Sequence, residues 1–178
     1  MDVMVREIRE RELHEIGAVT AAAYAGMVGD DYLEVLRNAR PRWQSPATTI
    51  LAAFDDGTDG VLGSVVYAGP GSDWQDVARG GDEAEVRMLA VAPAAQGRGV
   101  GETLMRACIA KARAEGRARL VLSTGDDMLA AHRLYKRLGF RRVEERDWTP
   151  VPGVSLMYFE LDLASATGGE AADGGSAA

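Results

Sequence analysis

One segment constrains the fold of this 178-residue chain more than any other: an apolar run that leads through a glycine-rich loop into an amphipathic pattern. Residues 86–91 are almost all apolar and predict a buried strand. Residues 100–115 place apolar side chains at helical spacing and predict a helix that begins near Gly99. Between the two, Gly97, Gly99 and Gly101 alternate with other residues. The segment therefore predicts a strand, a glycine loop and a helix N-terminus in direct succession.

This succession predicts a binding site for an anion such as a phosphate. The first N–H groups of a helix lack internal partners, and the helix dipole adds partial positive charge at that end. Glycine permits left-handed backbone angles and lets a phosphate approach the main chain. A triphosphate P-loop is excluded because no Gly-Lys-Ser/Thr is present, and the spacing differs from the Gly-x-Gly-x-x-Gly of dinucleotide-binding loops.

The loop instead has the pattern Gln-x-x-Gly-x-Gly, at Gln96, Gly99 and Gly101, after a strand with the sequence Arg-Met-Leu-Ala-Val-Ala-Pro. Further along, residues 130–140 have the sequence Ala-Ala-His-Arg-Leu-Tyr-Lys-Arg-Leu-Gly-Phe. Together these motifs resemble two signatures of the GNAT acetyltransferase superfamily, in the order expected of it. The resemblance covers residues 85–161 well and the first 80 residues only through the order of helices and strands.

The pattern of helices and strands predicts the same fold class as the resemblance. Over residues 1–163 we predict the order β-α-α-β-β-β-α-β-α-β-β, a mixed α/β (α+β) domain with a central mixed, mostly antiparallel sheet flanked by helices. Pro41 is expected to end the second helix, and residues 140–147 to form the sixth strand. Apolar periodicity disappears from Ala164 onwards, so residues 164–178 are predicted to be a disordered Ala/Gly-rich tail.

The resemblance implies that the protein is an N-acetyltransferase with acetyl-CoA as co-substrate and a primary amine of a small molecule or peptide as acceptor. It implies that the main chain of Leu89, Ala90 and Val91 contacts the pantetheine arm. It also implies that the following loop and first helical turn hold the pyrophosphate: Gln96, Gly97, Arg98, Gly99, Val100 and Gly101. A non-catalytic acyl-CoA-binding module of the same fold is the alternative.

The motif position of Tyr135 implies that this residue is the general acid that protonates the departing thiolate. A phenol has a pKa of about 10, so its hydroxyl is protonated and able to donate at neutral pH. The alternative is a helix tyrosine that only packs on the core. Retention of Tyr135 together with the Gln96 loop favours an enzyme over a binding module.

Glu85 is the candidate general base, because a carboxylate on the central strand could lie near the thioester. Strand alternation puts Glu83, Glu85 and Arg87 on one face and Met88, with its apolar neighbours, on the other. Three alternatives remain open: a salt bridge occupies Glu85, Glu83 is the base, or a water path leads to a more distant base.

Composition narrows the partners further. The net charge of −7 argues against nucleic-acid binding. Residues 97–142 carry a net charge of +7, suited to an anionic coenzyme, and the remainder carries −14, suited to a cationic acceptor. No apolar run long enough for a membrane span, no metal-ligand spacing and no signal peptide is recognised, so a cytoplasmic protein without metal is predicted. Monomer and homodimer both remain open.

His132 is predicted to lie at the surface or beside the coenzyme, and Cys108, the single cysteine, to belong to the apolar stripe of the long helix. Neither residue is therefore expected to act as a base or a nucleophile.

Overall fold

A computed structural model describes residues 2–164 of the chain, so residues 165–178 of the predicted tail lie outside the described part. Within the described part the strands are β1 (Val3–Glu7), β2 (Thr48–Asp55), β3 (Val61–Ala68), β4 (Glu83–Val91), β5 (Arg119–Gly125), β6 (Arg141–Arg142) and β7 (Leu156–Asp162). The α-helices are α1 (Leu13–Tyr24), α2 (Asp30–Arg37), α3 (Arg40–Gln44), α4 (Val100–Ala114) and α5 (Leu129–Arg137). No helix of residues 2–164 is both long and apolar enough to cross a membrane.

The strands form a seven-stranded sheet in the order β1-β2-β3-β4-β5-β7-β6. All neighbouring pairs are antiparallel except β4 and β5, which are parallel. A parallel pair requires a crossover connection, and α4 provides it. The prediction of a mixed, mostly antiparallel sheet flanked by helices is confirmed.

The parallel pair is short, and this leaves a gap in the sheet. β4 and β5 pair only where Glu83–Glu85 face Arg119–Val121. Both strands continue past this point, while β5 stays paired with β7 along its whole length. Residues 86–91 of β4 and 122–125 of β5 therefore border an opening in the sheet, referred to below as the β4–β5 opening.

A β-bulge lies in β4 beside this opening. Val66 of β3 faces Arg87, whereas Ser64, two residues earlier, faces Ala90, so β4 holds one extra residue there. Met88 takes up the irregularity with a positive φ of 53°. A bulge bends its strand and increases the local twist, which fits the departure of β4 from β5 at this place.

The bulge also corrects the predicted face of Met88. The sheet separates two apolar clusters, one formed with α4 and α5 and the other with α1 and α2. Val86 belongs to the α4 cluster as expected, but Met88 packs in the α1 cluster, and Leu89 and Val91 pack against the α4 cluster. The prediction that Val86 and Met88 share a face was wrong, because the extra residue reverses the alternation after Arg87.

The prediction that Pro41 ends the second helix was also wrong. α2 ends at Arg37, and Pro41 lies in the first turn of α3, where its missing N–H costs nothing. The buried Arg42 guanidinium stops α2 instead. It donates to the main-chain oxygens of Val35, Leu36 and Asn38 at 3.0, 2.8 and 3.1 Å, which satisfies carbonyls that a longer helix would have used.

The predicted strand over residues 140–147 is much shorter in the structure. β6 has two residues, and a 3-10 helix, Glu144–Arg146, follows it. The Asp147 carboxylate then accepts the Tyr158 N–H at 2.8 Å, so a side chain replaces the ladder contact that a longer β6 would have made.

Candidate functional site

Main-chain groups of β4 face the β4–β5 opening and are free to pair with an extended ligand. The Ala92 N–H donates to the Leu62 oxygen at 2.8 Å. In the antiparallel ladder, the main-chain N–H and C=O groups of Ala90 and Ala92 therefore point towards β3. By the same alternation the N–H and C=O of Val91 face the opening. Ala90 therefore presents no free polar group to a ligand, and its side chain is buried. A contact of Ala90 with the pantetheine arm stays a prediction, although the main chain of Ala90 points towards β3.

Leu89 lies at the bulge, where β3 offers it no partner in the register. Its carbonyl oxygen instead accepts a hydrogen bond from the Tyr24 hydroxyl at 3.0 Å. Tyr24 is the last residue of α1. The apolar pattern of that helix gave no reason to assign Tyr24 to the site. A single tyrosine at the end of an alanine-rich helix was the available signal.

The loop after β4 has the geometry of an anion site. Gly97 and Gly99 have φ of 77° and 76°, the left-handed conformation that glycine adopts without strain. A Cβ added at either position would meet no atom within 4 Å, so the space beside the loop is open. α4 begins directly after Gly99 and has no side-chain cap. Its first N–H groups therefore point into this space without a capping side chain, which fits a diphosphate.

The remaining loop residues differ in what they can offer. Gln96 and Arg98 are exposed, whereas the Val100 side chain is buried, so Val100 can contribute only its main chain. Arg98 lies 3.6 Å from the Asp55 carboxylate, at the end of β2. A Cβ added to Gly101 would approach Leu134 of α5 and Val91 of β4 at 3.5 and 3.6 Å. Gly101 thus brings the first turn of α4 against the same strand and helix that carry the rest of the site.

Tyr135 lies on the face of the sheet that α4 and α5 cover. Its ring packs against Phe140 and Phe159, with centroids 5.9 Å away in both cases, and the residue is 6% exposed. Among residues 2–164, no hydrogen bond to its hydroxyl is present. Burial raises its pKa, so the hydroxyl stays protonated at neutral pH.

Glu85 is buried, and its carboxylate is already engaged. Oε2 accepts the N–H groups of Asp76, Val77 and Ala78 at 2.8, 2.9 and 3.0 Å. Burial raises the pKa of Glu85, while these hydrogen bonds oppose the rise. The carboxylate therefore anchors the loop between β3 and β4. The alternation of residues along β4 did not predict this role. A base role for Glu85 stays a prediction.

Glu83, the alternative base, is engaged more heavily. Its carboxylate accepts the Arg79 N–H at 2.8 Å and the guanidinium groups of Arg119 and Arg146 at 3.0 and 3.1 Å. Burial raises the pKa of Glu83, but these donors outweigh that effect and lower it overall. A carboxylate held by two arginines is a poor proton acceptor.

Two other residues are placed clearly by the structure. Cys108 is fully buried in α4, and burial raises its pKa to about 12, so the predicted core position is confirmed. His132 is only 7% exposed, so the surface position was wrong, and the alternative position beside the coenzyme stays a prediction. Its Nε2 lies 2.8 Å from the Gly125 oxygen. Within residues 2–164, no group of three or more metal-ligating side chains occurs.

Comparisons with known proteins agree with this geometry. A relative from Schizosaccharomyces pombe, named an uncharacterized N-acetyltransferase, is 32% identical over 130 residues, which cover 71% of this chain and 72% of the relative. A mycothiol acetyltransferase from Cellulomonas flavigena is 35% identical over 106 residues, 60% of this chain. The match spans only 30% of that relative's length.

A solved structure shows the same fold. An N-acetyltransferase from Thermoplasma acidophilum, in complex with coenzyme A, superposes with a TM-score of 0.65 at 19% identity. The superposition covers 89% of this chain and 98% of that one. The family model described as the acetyltransferase (GNAT) family matches residues 10–140, which is well over half of the chain. The chain therefore belongs to the GNAT acetyltransferase family.

Proposed function

We propose that the protein transfers an acetyl group from acetyl-CoA directly to a primary amine of a small molecule or peptide. One observation carries the proposal: the open edge of β4, the glycine loop at the start of α4 and the helix that carries Tyr135 come close together at Gly101. A Cβ added at Gly101 would lie 3.5 Å from Leu134 of α5 and 3.6 Å from Val91 of β4, so the first turn of α4 lies beside both the strand and the helix that carries Tyr135. Family membership supports the same reaction.

In this proposal the loop residues hold the pyrophosphate through main-chain N–H groups, with Gly97 and Gly99 giving it room. Arg98 adds positive charge beside that position. The main chain of Val91 and the N–H of Leu89 pair with the pantetheine arm along the β4–β5 opening, because Tyr24 already occupies the Leu89 carbonyl. The acetyl group then lies in the opening, between the two faces of the sheet.

The reaction is a single displacement in which atoms balance. The neutral amine nitrogen attacks the thioester carbonyl carbon, the carbon–sulfur bond breaks, and Tyr135 donates its proton to the thiolate. The amine loses one proton to a base, which releases it to solvent, and Tyr135 regains its proton from solvent. An amide and free coenzyme A are the products. The acceptor amine has a pKa of about 10.4 if it resembles lysine, so removal of its proton is part of the work.

Glu85→Gln tests the base role and the anchoring role together. All three N–H groups donate to one oxygen of Glu85, and a neutral amide oxygen accepts them less strongly than a charged carboxylate, so we expect a lower Tm. Loss of charged hydrogen bonds costs about 1–3 kcal/mol, or about 2–12 °C in Tm. An unchanged Tm in thermal denaturation would contradict the anchor. Glu34→Gln, at an exposed residue of α2, is the control.

The pH profile of the same variant decides the base role. If Glu85 is the base, its loss matters less as pH rises towards the pKa of the amine, since more of the acceptor is then already neutral. A turnover deficit that is constant between neutral and alkaline pH would leave Glu85 as an anchor only. A water path would then serve the proton transfer.

The proposed reaction itself is tested with a panel of primary amines. Purified protein is incubated with acetyl-CoA and each amine, and release of free thiol is followed. We expect thiol release that depends on the amine. Stabilisation by acetyl-CoA without thiol release from any amine would instead identify a binding module.

A further inference from the structure

The strongest unassigned contact in the site is the hydrogen bond from the Tyr24 hydroxyl to the Leu89 oxygen, 3.0 Å long. It joins residues 65 positions apart in the sequence and lies at the bulge of β4. The carbonyl at a bulge lacks a ladder partner, so one function of this contact is to satisfy it. A phenylalanine could not satisfy this carbonyl. The contact also fixes the position of the Tyr24 oxygen.

The Tyr24 oxygen lies at the β4–β5 opening. Leu89 borders that opening, and the Tyr24 hydroxyl reaches the Leu89 oxygen. Tyr24 comes from the face that α1 and α2 cover, where it packs against their apolar cluster. Tyr135 belongs to the cluster on the opposite face. The two hydroxyl groups are nevertheless close enough to interact electrostatically. Burial raises the pKa of Tyr24, and the nearby Tyr135 raises it further.

The two faces therefore have different roles. The glycine loop, the first turn of α4 and Tyr135 all lie on the α4 side, where a Cβ added at Gly101 would approach Leu134. In a direct transfer two substrates must meet, and the coenzyme side is already assigned. The acceptor is then left with the α1 side, on which Tyr24 stands.

Two charged residues of β4 on the α1 side are already engaged. Arg87 forms an ion pair with Asp76 at 2.9 Å and donates to the Trp74 oxygen at 3.0 Å. Glu85 holds three N–H groups. The Tyr24 hydroxyl differs, because a phenol that donates one hydrogen bond still accepts another. Its donor is directed to Leu89, so what it offers a ligand is an acceptor.

We propose that Tyr24 is a positioning residue for the acceptor, whose amine donates a hydrogen bond to the Tyr24 oxygen at the β4–β5 opening. The inference rests on the proposed acetyltransfer and adds the side from which the amine approaches. It assigns opposite tasks to two tyrosines: Tyr24 accepts from the nucleophile, and Tyr135 donates to the leaving group. An acceptor that carries N–H donors at its reacting atom is selected over an alcohol with a single donor.

The test is Tyr24→Phe with full steady-state kinetics. The probes are phenethylamine, cadaverine, glucosamine and a peptide with a free α-amino group, and constants are measured on the best acceptor. A net hydrogen bond to a neutral partner corresponds to about a 3- to 10-fold effect. We expect kcat/KM for the amine to fall by that factor, mainly through KM, while affinity for acetyl-CoA stays within about twofold.

Tyr67→Phe is the matched control, since it removes another tyrosine hydroxyl that donates, in this case to Glu115 at 2.8 Å, beyond the end of α4. It should leave both substrates' constants near those of the wild type. Equal constants in Tyr24→Phe and wild type would overturn the inference. The inference would also be overturned if affinity for acetyl-CoA fell by the same factor as kcat/KM for the amine, because Tyr24 would then only stabilise the bulge. A wild-type protein that acetylates none of the probes would overturn the proposed function, and this inference with it.

Discussion

Tyr135→Phe is expected to lower kcat by up to about 10²- to 10⁴-fold, the usual contribution of a positioned general acid. The ring keeps its contacts with Phe140 and Phe159, and the lost hydroxyl has no hydrogen-bond partner among residues 2–164. The fold should therefore survive while the thiolate leaves without an acid. Because the proton is needed only as the thiolate forms, kcat and kcat/KM should fall together.

Two measurements accompany this variant. Its Tm, and the rise in Tm that acetyl-CoA produces, should match those of the wild type, which excludes misfolding and lost coenzyme binding. Turnover is measured under conditions in which chemistry limits the rate. A variant as fast as wild type there would show that Tyr135 is a packing residue.

Gly99→Val is expected to abolish stabilisation of the protein by acetyl-CoA. At a ligand concentration 100 times Kd, binding adds about 2.7 kcal/mol to the free energy of unfolding, a rise of about 5–10 °C in Tm. A β-branched side chain at Gly99 would fill the open space beside the first N–H groups of α4. The pyrophosphate could then no longer approach them.

Valine at a left-handed position also strains the backbone, so a control is needed. Gly116, at the other end of α4, has φ of 72° against 76° at Gly99, and its Cβ would also meet no atom within 4 Å. Gly116→Val should therefore lower the Tm without ligand by a similar amount yet keep the acetyl-CoA shift. If acetyl-CoA raised the Tm of Gly99→Val as much as that of the wild type, the loop would not hold the pyrophosphate.

The parts of the site that the sequence predicts well are those determined by local chemistry. Gly97 and Gly99 adopt the left-handed angles that their residue type favours, and α4 begins directly after them. The tyrosine helix, α5, follows from its apolar spacing and ends just before Gly139. In each case neighbours along the chain decide the conformation, so the pattern is visible without the fold.

The parts that were missed depend on contacts between distant residues. Alternation could not anticipate the bulge at Met88, because an extra residue in β4 is defined only by its register with β3. The Glu85 anchor forms with Asp76–Ala78, in a loop whose path a pattern of residues does not predict. Tyr24 meets Leu89 only once α1 has packed across the sheet. Each is a tertiary effect that overrides a local rule.

In the proposed reaction, the acetyl group passes directly from acetyl-CoA to an amine at the β4–β5 opening. The most direct test uses acetyl-CoA with a deuterated acetyl group, the best amine of the panel, and mass spectrometry of both amine and protein. Direct transfer predicts that the label appears on the amine nitrogen, in step with thiol release, while the mass of the protein stays unchanged. Label retained on the protein, or thiol release that needs no amine, would contradict it.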